Sequence, residues 1–414
     1  MDRKVKVAVI GVGGRGLGMI QSVISKFADV EITAVCDLYP ERVEKAIAEV
    51  EQRVGNTPYG SADYNEILKR DDVEAVYIAT SWESHVEIAI AAQKAGKATG
   101  LEVGGAYSIS ELEDLVKIHE ETGTPFMLME NCCYNDNELF ATAAVRAGLF
   151  GTIVHCSGAY GHDLRKEVAN GNIKGHYRLR NYILRNAENY PTHELGPIAR
   201  LLNINRGNRM VSLVSIASKA CGMEEYIKSN PELVEQDPTL EGRRFNQGDI
   251  VNTIITCQNG ETIALKLDTT LPRSYSREFT VKGTKGYYSQ DTNTVFLDGM
   301  KEMWRADKYL EAYAGNAKEY YADYMPSVWS EMTEEDKKVG HGGMDGIMFR
   351  AFINAYKEGK EMPIDVYDCA SWMCITALSA QSIAMGGMPQ AIPDFTNGKW
   401  VIREPKDVME LGKK

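Results

Sequence analysis

The residues closest to a recognisable chemistry lie near the start of the chain. Gly11-Val12-Gly13-Gly14-Arg15-Gly16 follows the β-branched run Val5–Ile10 and precedes apolar residues at helical spacing, Leu17, Ile20, Val23 and Ile24. Glycines so spaced between a strand and a helix cradle a pyrophosphate. Gly11 permits the tight turn, Gly13 lets the backbone approach the phosphates, and Gly16 lets helix and strand pack closely. The helix start adds unpaired N–H groups and a partial positive charge. About 20 residues beyond the last glycine, the run Glu31–Cys36 ends at Asp37, a carboxylate placed to accept hydrogen bonds from adenosine ribose hydroxyls. A carboxylate there repels a 2′-phosphate, so the pattern predicts NAD rather than NADP. The competing reading is that Asp37 caps the helix that Pro40 opens.

These residues need a scaffold. Val73–Thr80 reads as a buried parallel strand, Val86–Ala95 as a helix ended by Gly96, and Ala98–Val103 as the next strand. A helix over Ser110–Glu121 and a strand over Pro125–Glu130 continue the alternation. Strands alternating with helices predict a Rossmann-type, doubly wound parallel sheet of the α/β class. Ligands in such sheets lie at the carboxyl ends of the strands, which singles out Ser81–His85, Glu102–Gly105 and Glu130–Asn131.

Beyond a helix near Asn137–Ala147 the pattern changes. Gly151–Tyr160, Met210–Lys219, Ile250–Cys257, Thr262–Asp268 and Arg277–Lys282 read as strands, several with period-two alternation, and Asn259-Gly260 is a hairpin turn signal. Few helices intervene, so an α+β domain with an open, mostly antiparallel sheet is expected. Ile347–Lys357 and Val366–Ala384 have helical spacing, while Glu224–Arg244 and Ala306–Glu335 read as irregular stretches with short helices. The expected division is residues 1–132 for nucleotide and 133–414 for substrate, with C-terminal helices able to pack back on the first domain.

Composition narrows the function classes. A chain of 414 residues exceeds one ordinary core. A net charge of −12 without a basic stripe argues against nucleic acid as a partner. Eight cysteines, most in apolar runs, are not a disulfide framework, and Cys132-Cys133 lacks zinc-ligand spacing, so no metal is expected. No apolar stretch approaches the roughly 20 residues of a membrane span. The first strand begins at Lys4 and leaves no room for a signal peptide. The chain as given reads as cytoplasmic, or as periplasmic or secreted if a leader was removed.

The organisation resembles the glucose–fructose oxidoreductase/inositol dehydrogenase superfamily (Gfo/Idh/MocA) over essentially the whole chain. Within it, Tyr190–Pro197, Asn203–Gly207, Pro272–Arg277, His341–Asp345 and Met129-Glu130-Asn131 with Tyr134 resemble the NAD-dependent α-N-acetylgalactosaminidase family. One departure from the ordinary dehydrogenases is informative. They carry Glu-Lys-Pro where this chain has Glu102-Val103-Gly104, and Val103 cannot transfer a proton. Their Asp four residues before the family histidine is Asn189 here. The glycosidase-like group shares the Glu-Val.

The resemblance implies NAD as cofactor and a small carbohydrate as substrate. The implied sequence is transient oxidation at the sugar 3-carbon, elimination at the 1-carbon, water addition and re-reduction, with no net redox change. His193 and Tyr190 would face the nicotinamide and the reacting carbons, one of them as base, a role suited to a histidine near neutral pH. Tyr160, Arg178, Pro191, Thr192 and Tyr275 match the remaining sugar positions. Gly11, Gly13, Gly14, Arg15, Gly16, Asp37, Trp82, Ser84, His85, Glu102, Val103, Asn131 and Tyr190 match the cofactor positions, with Arg15 and Gly16 over the pyrophosphate. A homo-oligomer is implied by the same analogy. Blander readings stand beside these. His193 could cap the following helix, Tyr160 and Tyr275 could be rim aromatics, and Trp82 could be core. Arg178 competes with Arg180 and Arg185, and His341 could join the site or sit in a glycine-rich turn. An NAD-dependent sugar or cyclitol dehydrogenase and a non-catalytic nucleotide-binding protein are the alternative functions.

Overall fold

The computed structural model describes residues 3–411. The chain divides into two compact units. One runs to Asn135 and takes in Glu331–Ala370 and Asp407–Met409; the other holds Asp136–Ser330 and Ser371–Lys406.

The first unit is built on β1 (Val5–Ile10), β2 (Val30–Cys36), β3 (Tyr59–Ser61), β4 (Ala75–Ile78), β5 (Ala98–Leu101) and β6 (Phe126–Leu128). They form one sheet in the order β3-β2-β1-β4-β5-β6, every pair parallel. The apolar runs explain this: β1, β4 and β5 are buried almost end to end, as strands covered on both faces must be. Ile10 pairs with both Cys36 and Ile78. The strand order reverses at β1, and the next residues of all three strands emerge together at the carboxyl edge, where such sheets bind ligands.

Helix Trp82–Lys94 begins one turn earlier than the spacing from Val86 predicts. Ser81 holds the extended backbone of a cap position and Glu83 lies in the first turn, where a carboxylate favours the helix dipole. Trp82, Ser84 and His85 are thereby fixed on a helix rather than carried on a loop. Helix Met344–Glu358 belongs to this unit and buries Met348, Phe349, Phe352 and Ile353. Phe349 packs edge-on against Phe27 at 5.3 Å and Tyr77 at 6.4 Å, and Arg350 pairs with Asp29 at 2.9 Å.

The second unit carries β7 (Ile153–Gly161), β8 (Met210–Ala217), β9 (Ile250–Cys257), β10 (Thr262–Asp268), β11 (Thr280–Gly283), β12 (Gly286–Ser289), β13 (Thr294–Leu297) and β14 (Gln390–Ala391). Their order is β13-β12-β11-β7-β10-β9-β8-β14. Only β7 and β10 pair in parallel, so the sheet is mixed but mostly antiparallel. Burial alternates strictly along β9 and β10, as expected of a sheet with one face on the core. Asn259-Gly260 makes the turn between them. The strand expected at Arg277–Lys282 is shorter, because Glu278 has φ +46° and interrupts the ladder. β12 and β13 follow, without a counterpart among the expected strands.

Arg277 and Glu138 form a buried ion pair at 2.7 Å beside this break. Removing Arg277 takes the opposite charge away from the buried Glu138 carboxylate. Arg277→Ala is expected to lose about 3–5 kcal/mol of stability, read as a fall in the denaturant midpoint; an unchanged midpoint would show that water replaces the arginine.

Among the described residues no helix is long and apolar enough to cross a membrane.

Candidate functional site

In the first unit, the glycine loop has the form a dinucleotide needs. Gly11 has φ +89°, and a Cβ there would lie 2.6 Å from the Ala79 backbone. A Cβ on Gly16 would overlap the Gly11 carbonyl oxygen. Above the loop the situation reverses: a Cβ on Gly14 would meet nothing within 4 Å, and one on Gly13 only the Arg42 guanidinium at 3.4 Å. Strand and helix are pressed together below while space is left above, over the start of helix Gly14–Ser22.

Asp37 stands at the tip of β2. Its Oδ2 accepts from the Val12 N–H at 3.0 Å and its Oδ1 from the Tyr39 N–H at 3.1 Å, with Arg42 at 3.7 Å. It therefore clips the glycine loop to the second strand. Helix Pro40–Val54 has no side-chain cap, so the capping reading of Asp37 fails. Each carboxylate oxygen keeps a lone pair for a ribose hydroxyl.

Arg15 is tied down by carboxylates. Its Nε donates to Glu102 at 2.9 Å, and its two terminal nitrogens fork onto Asp345 at 2.7 and 2.9 Å. Asn131 donates to the same Asp345 at 2.8 Å, and the Tyr77 hydroxyl donates to Glu102. Burial alone would raise the Asp345 pKa, but the hydrogen bonds from His341 and Arg15 outweigh it and hold the carboxyl well below the usual range. Asp345 was not among the expected cofactor residues.

Trp82 is buried, and a Cβ on Gly104 would lie 2.5 Å from its indole, so the ring packs on that backbone. Ser84 bonds to Thr80 and Ser81, completing the first helical turn. Burial pushes the His85 pKa down to about 4. The neutral ring lies 3.1 Å by Nε2 from the Thr80 carbonyl, which assigns the proton to Nε2 and leaves Nδ1 as an acceptor. Nδ1 is buried and has no partner among the described residues. An open cradle, a ribose carboxylate and an unused buried acceptor fit a bound dinucleotide. Val103 is buried and brings no proton-carrying group.

In the second unit, the segment Ala187–Tyr190 is pinned on several sides. Glu188 donates its N–H to Ser379 and accepts from Thr376, and the Asn189 amide donates to Gln247. This presents Tyr190 just before helix Thr192–Leu201. Pro191 holds the cap position of that helix without a side-chain bond, and His193 lies in its first turn, so His193 is not the cap. Pro191 and Thr192 are buried under the turn.

Around His193 an aromatic cluster converges. Tyr160, at the end of β7, has its ring 4.7 Å from Tyr190 and 5.5 Å from His193, and Tyr190 meets His193 edge-on at 4.8 Å. The Arg178 guanidinium lies 5.0 Å from the Tyr190 ring and pairs with Glu167 at 2.7 Å. Arg178 is 6% exposed, whereas Arg180 is exposed and Arg185 half-buried. His162 completes the group: its Nδ1 is 3.3 Å from the Tyr160 hydroxyl, and its ring stands edge-on to Tyr275 at 5.2 Å. The Tyr275 hydroxyl in turn accepts from Arg277 at 3.1 Å. Burial raises the Tyr160 pKa against the opposing charge of Arg178, so the phenol keeps its proton. Burial, then Arg178, lowers that of His162, which is therefore neutral near pH 7. Two phenols, two imidazoles and a buried guanidinium can hold hydroxyl and acyl oxygens and pass protons among them. His162 and Glu167 were missed from the sequence. The two-residue spacing of Tyr160 and His162 at a strand end was the signal for the first.

Residues 5–130 match the family described as oxidoreductase family, NAD-binding Rossmann fold, and residues 134–402 match the glycosyl hydrolase 109 C-terminal domain. A glycosyl hydrolase family 109 protein of Stenotrophomonas maltophilia is 36% identical over 97% of this chain and 91% of its own length. The chain belongs to glycosyl hydrolase family 109. An α-N-acetylgalactosaminidase of Tannerella forsythia is 35% identical over 98% of this chain and 89% of that protein. Among solved structures, a levoglucosan dehydrogenase in complex with NADH and L-sorbose superposes with TM-score 0.65 at 19% identity over 95% of this chain and all of that one. The scyllo-inositol dehydrogenase of Lactobacillus casei with NAD(H) and scyllo-inositol gives 0.64 at 14% over 94% and 99%. At such identities the likeness is one of fold. This family 109 chain is thus an enzyme on the oxidoreductase fold of the Gfo/Idh/MocA superfamily.

Proposed function

We propose that this enzyme is an NAD-dependent glycosidase acting on α-linked N-acetylgalactosamine or a close relative. It would cleave by transient oxidation at the 3-carbon, elimination at the 1-carbon, water addition and re-reduction. The observation that carries the reading is the second-unit cluster of Tyr160, His162, Arg178, Tyr190 and His193, in a chain where Val103 replaces the dehydrogenase lysine. The relative named α-N-acetylgalactosaminidase supports the choice of sugar. Bound NAD supplies removal and return of a hydride at the sugar 3-carbon, and Gly11, Gly13, Gly14, Gly16, Asp37, Trp82, His85, Glu102 and Asn131 are the residues that would hold it.

The chain's own groups do the rest. Arg178, buried against Tyr190 and Tyr160, offers fixed donors to hydroxyl or acyl oxygens of the sugar. The protonated Tyr160 is a donor and the neutral His162 an acceptor, a pair poised to relay one proton. A ketone at the 3-carbon acidifies the neighbouring 2-hydrogen, which brings it within reach of His193 or Tyr190 as base. Once that proton is gone, the 1-substituent leaves without the pair of flanking carboxylates that ordinary glycosidases use.

The test is an incubation with aryl α- and β-glycosides of N-acetylgalactosamine, without added cofactor, following aglycone release and the NADH absorbance band together. Aglycone release without accumulating NADH is expected. Stoichiometric NADH with an oxidised free sugar and no aglycone would assign the enzyme to the dehydrogenases.

A further inference from the structure

Far along the chain, Gly340-His341-Gly342-Gly343 leads into helix Met344–Glu358, and all four residues have positive φ: +29°, +43°, +71° and +103°. For a histidine this is an uncommon conformation, and such strain collects at functional sites. It brings the His341 ring to the glycine loop. Nδ1 lies 2.7 Å from Asp345 and 3.2 Å from the Arg15 guanidinium, the first side chain after Gly14. The side chain is 60% exposed, and Nε2 has no hydrogen-bond partner among the described residues.

We propose that His341 is a further dinucleotide-binding residue whose protonated ring completes the charge balance beside the pyrophosphate and holds the cofactor in place. The proposal rests on the NAD reading above, not on the glycosidase chemistry. Its basis is a charge count. Arg15 is matched against two carboxylates, Glu102 and Asp345, so with neutral His341 the cluster carries one net negative charge next to the helix start that should receive an anion. A protonated His341 brings the cluster to neutrality and leaves Nε2–H as a donor.

The hydrogen bond to Asp345 raises the His341 pKa above its ordinary value, with burial and the Arg15 charge opposing. The other titratable groups facing it do not change charge over the neutral range. Tyr77 is buried with its pKa raised and stays neutral, as does His85. On the preceding turn, Asp336 is held by Thr333, and Lys337 and Lys338 are paired with Glu334 and Glu335. The sign follows directly. Cofactor affinity is full below the His341 pKa and falls as pH rises through it, and binding above that pKa draws in a proton.

The experiment is calorimetric titration of the full chain with NAD⁺ from pH 6 to 9, in buffers of different ionisation enthalpy, with melting temperature as a folding control. The expected result is a loss of about fivefold in affinity across the range, within the tenfold that one pKa unit represents, and fractional proton uptake at the alkaline end. His341→Asn, which tolerates positive φ, should bind weakly at every pH. His341→Lys should restore tight, pH-independent binding. Equal affinity of wild type and H341N with no proton uptake overturns the proposal and leaves the cofactor reading intact. Absence of NAD binding at any pH overturns both.

Discussion

His193→Ala is expected to lower turnover by about 10²–10⁴-fold, the contribution of a positioned acid or base, while NAD affinity and melting temperature stay near those of the wild type. The ring is only half-buried on the first turn of helix Thr192–Leu201, and Pro191, not His193, occupies the cap position. Losing it removes ring contacts with Tyr190 and Tyr160 and leaves the helix cap at Pro191 in place. Tyr190→Phe is the natural companion, since it keeps the ring and removes the hydroxyl. If His193 is the base, the phenylalanine variant keeps more activity than the alanine one; the reverse order moves the role to Tyr190. Steady-state kcat with an activated glycoside decides. Full activity in H193A would remove His193 from the chemistry.

Gly16→Ala should strike the cofactor instead. The added methyl collides with the Gly11 carbonyl oxygen, a backbone atom that cannot swing aside as a side chain could. Gly11 cannot yield, because its own backbone lies against Ala79 at φ +89°. Helix Gly14–Ser22 must therefore move off β1, taking the phosphate-facing N–H groups and Arg15 with it. A forced shift of this kind costs about 1–3 kcal/mol, or about 5- to 150-fold in NAD affinity, measured by NADH fluorescence titration. Gly14→Ala, where an added methyl meets nothing within 4 Å, is the control for stability. Equal affinity in G16A and wild type would mean that the pyrophosphate does not bind at this loop.

What could be read from the sequence depended on whether the signal was local. The glycine loop, β1 and Asp37 are contiguous or one crossover apart, and the parallel strands announce themselves by unbroken apolar runs. The start of helix Trp82–Lys94 was missed by one turn because Trp82 and His85 read as strand-tip groups, although Ser81 and Glu83 mark a helix start. β12 and β13 were missed because four-residue strands hold too few residues to show alternation. Sequence spacing could not tell that Arg178 is buried while Arg180 is exposed and Arg185 half-buried. The partnership of Arg15 with Asp345 spans 330 residues, and no periodicity reports a contact of that range. The sequence shows Asp345 only as part of a motif and leaves His341 open between site and turn. Arg15 is expected over the phosphates from its place in the loop, and sequence spacing could not reveal the two carboxylates, Glu102 and Asp345, that hold it there.

The most direct test of the account is turnover in deuterium oxide followed by mass and proton resonance analysis of the released sugar. Elimination through a 3-keto sugar exchanges the 2-hydrogen with solvent, so the product should carry one deuterium at its 2-carbon and none at its 3-carbon. Aglycone release with protium retained at the 2-carbon would contradict the account, because the bond that must break would have stayed intact.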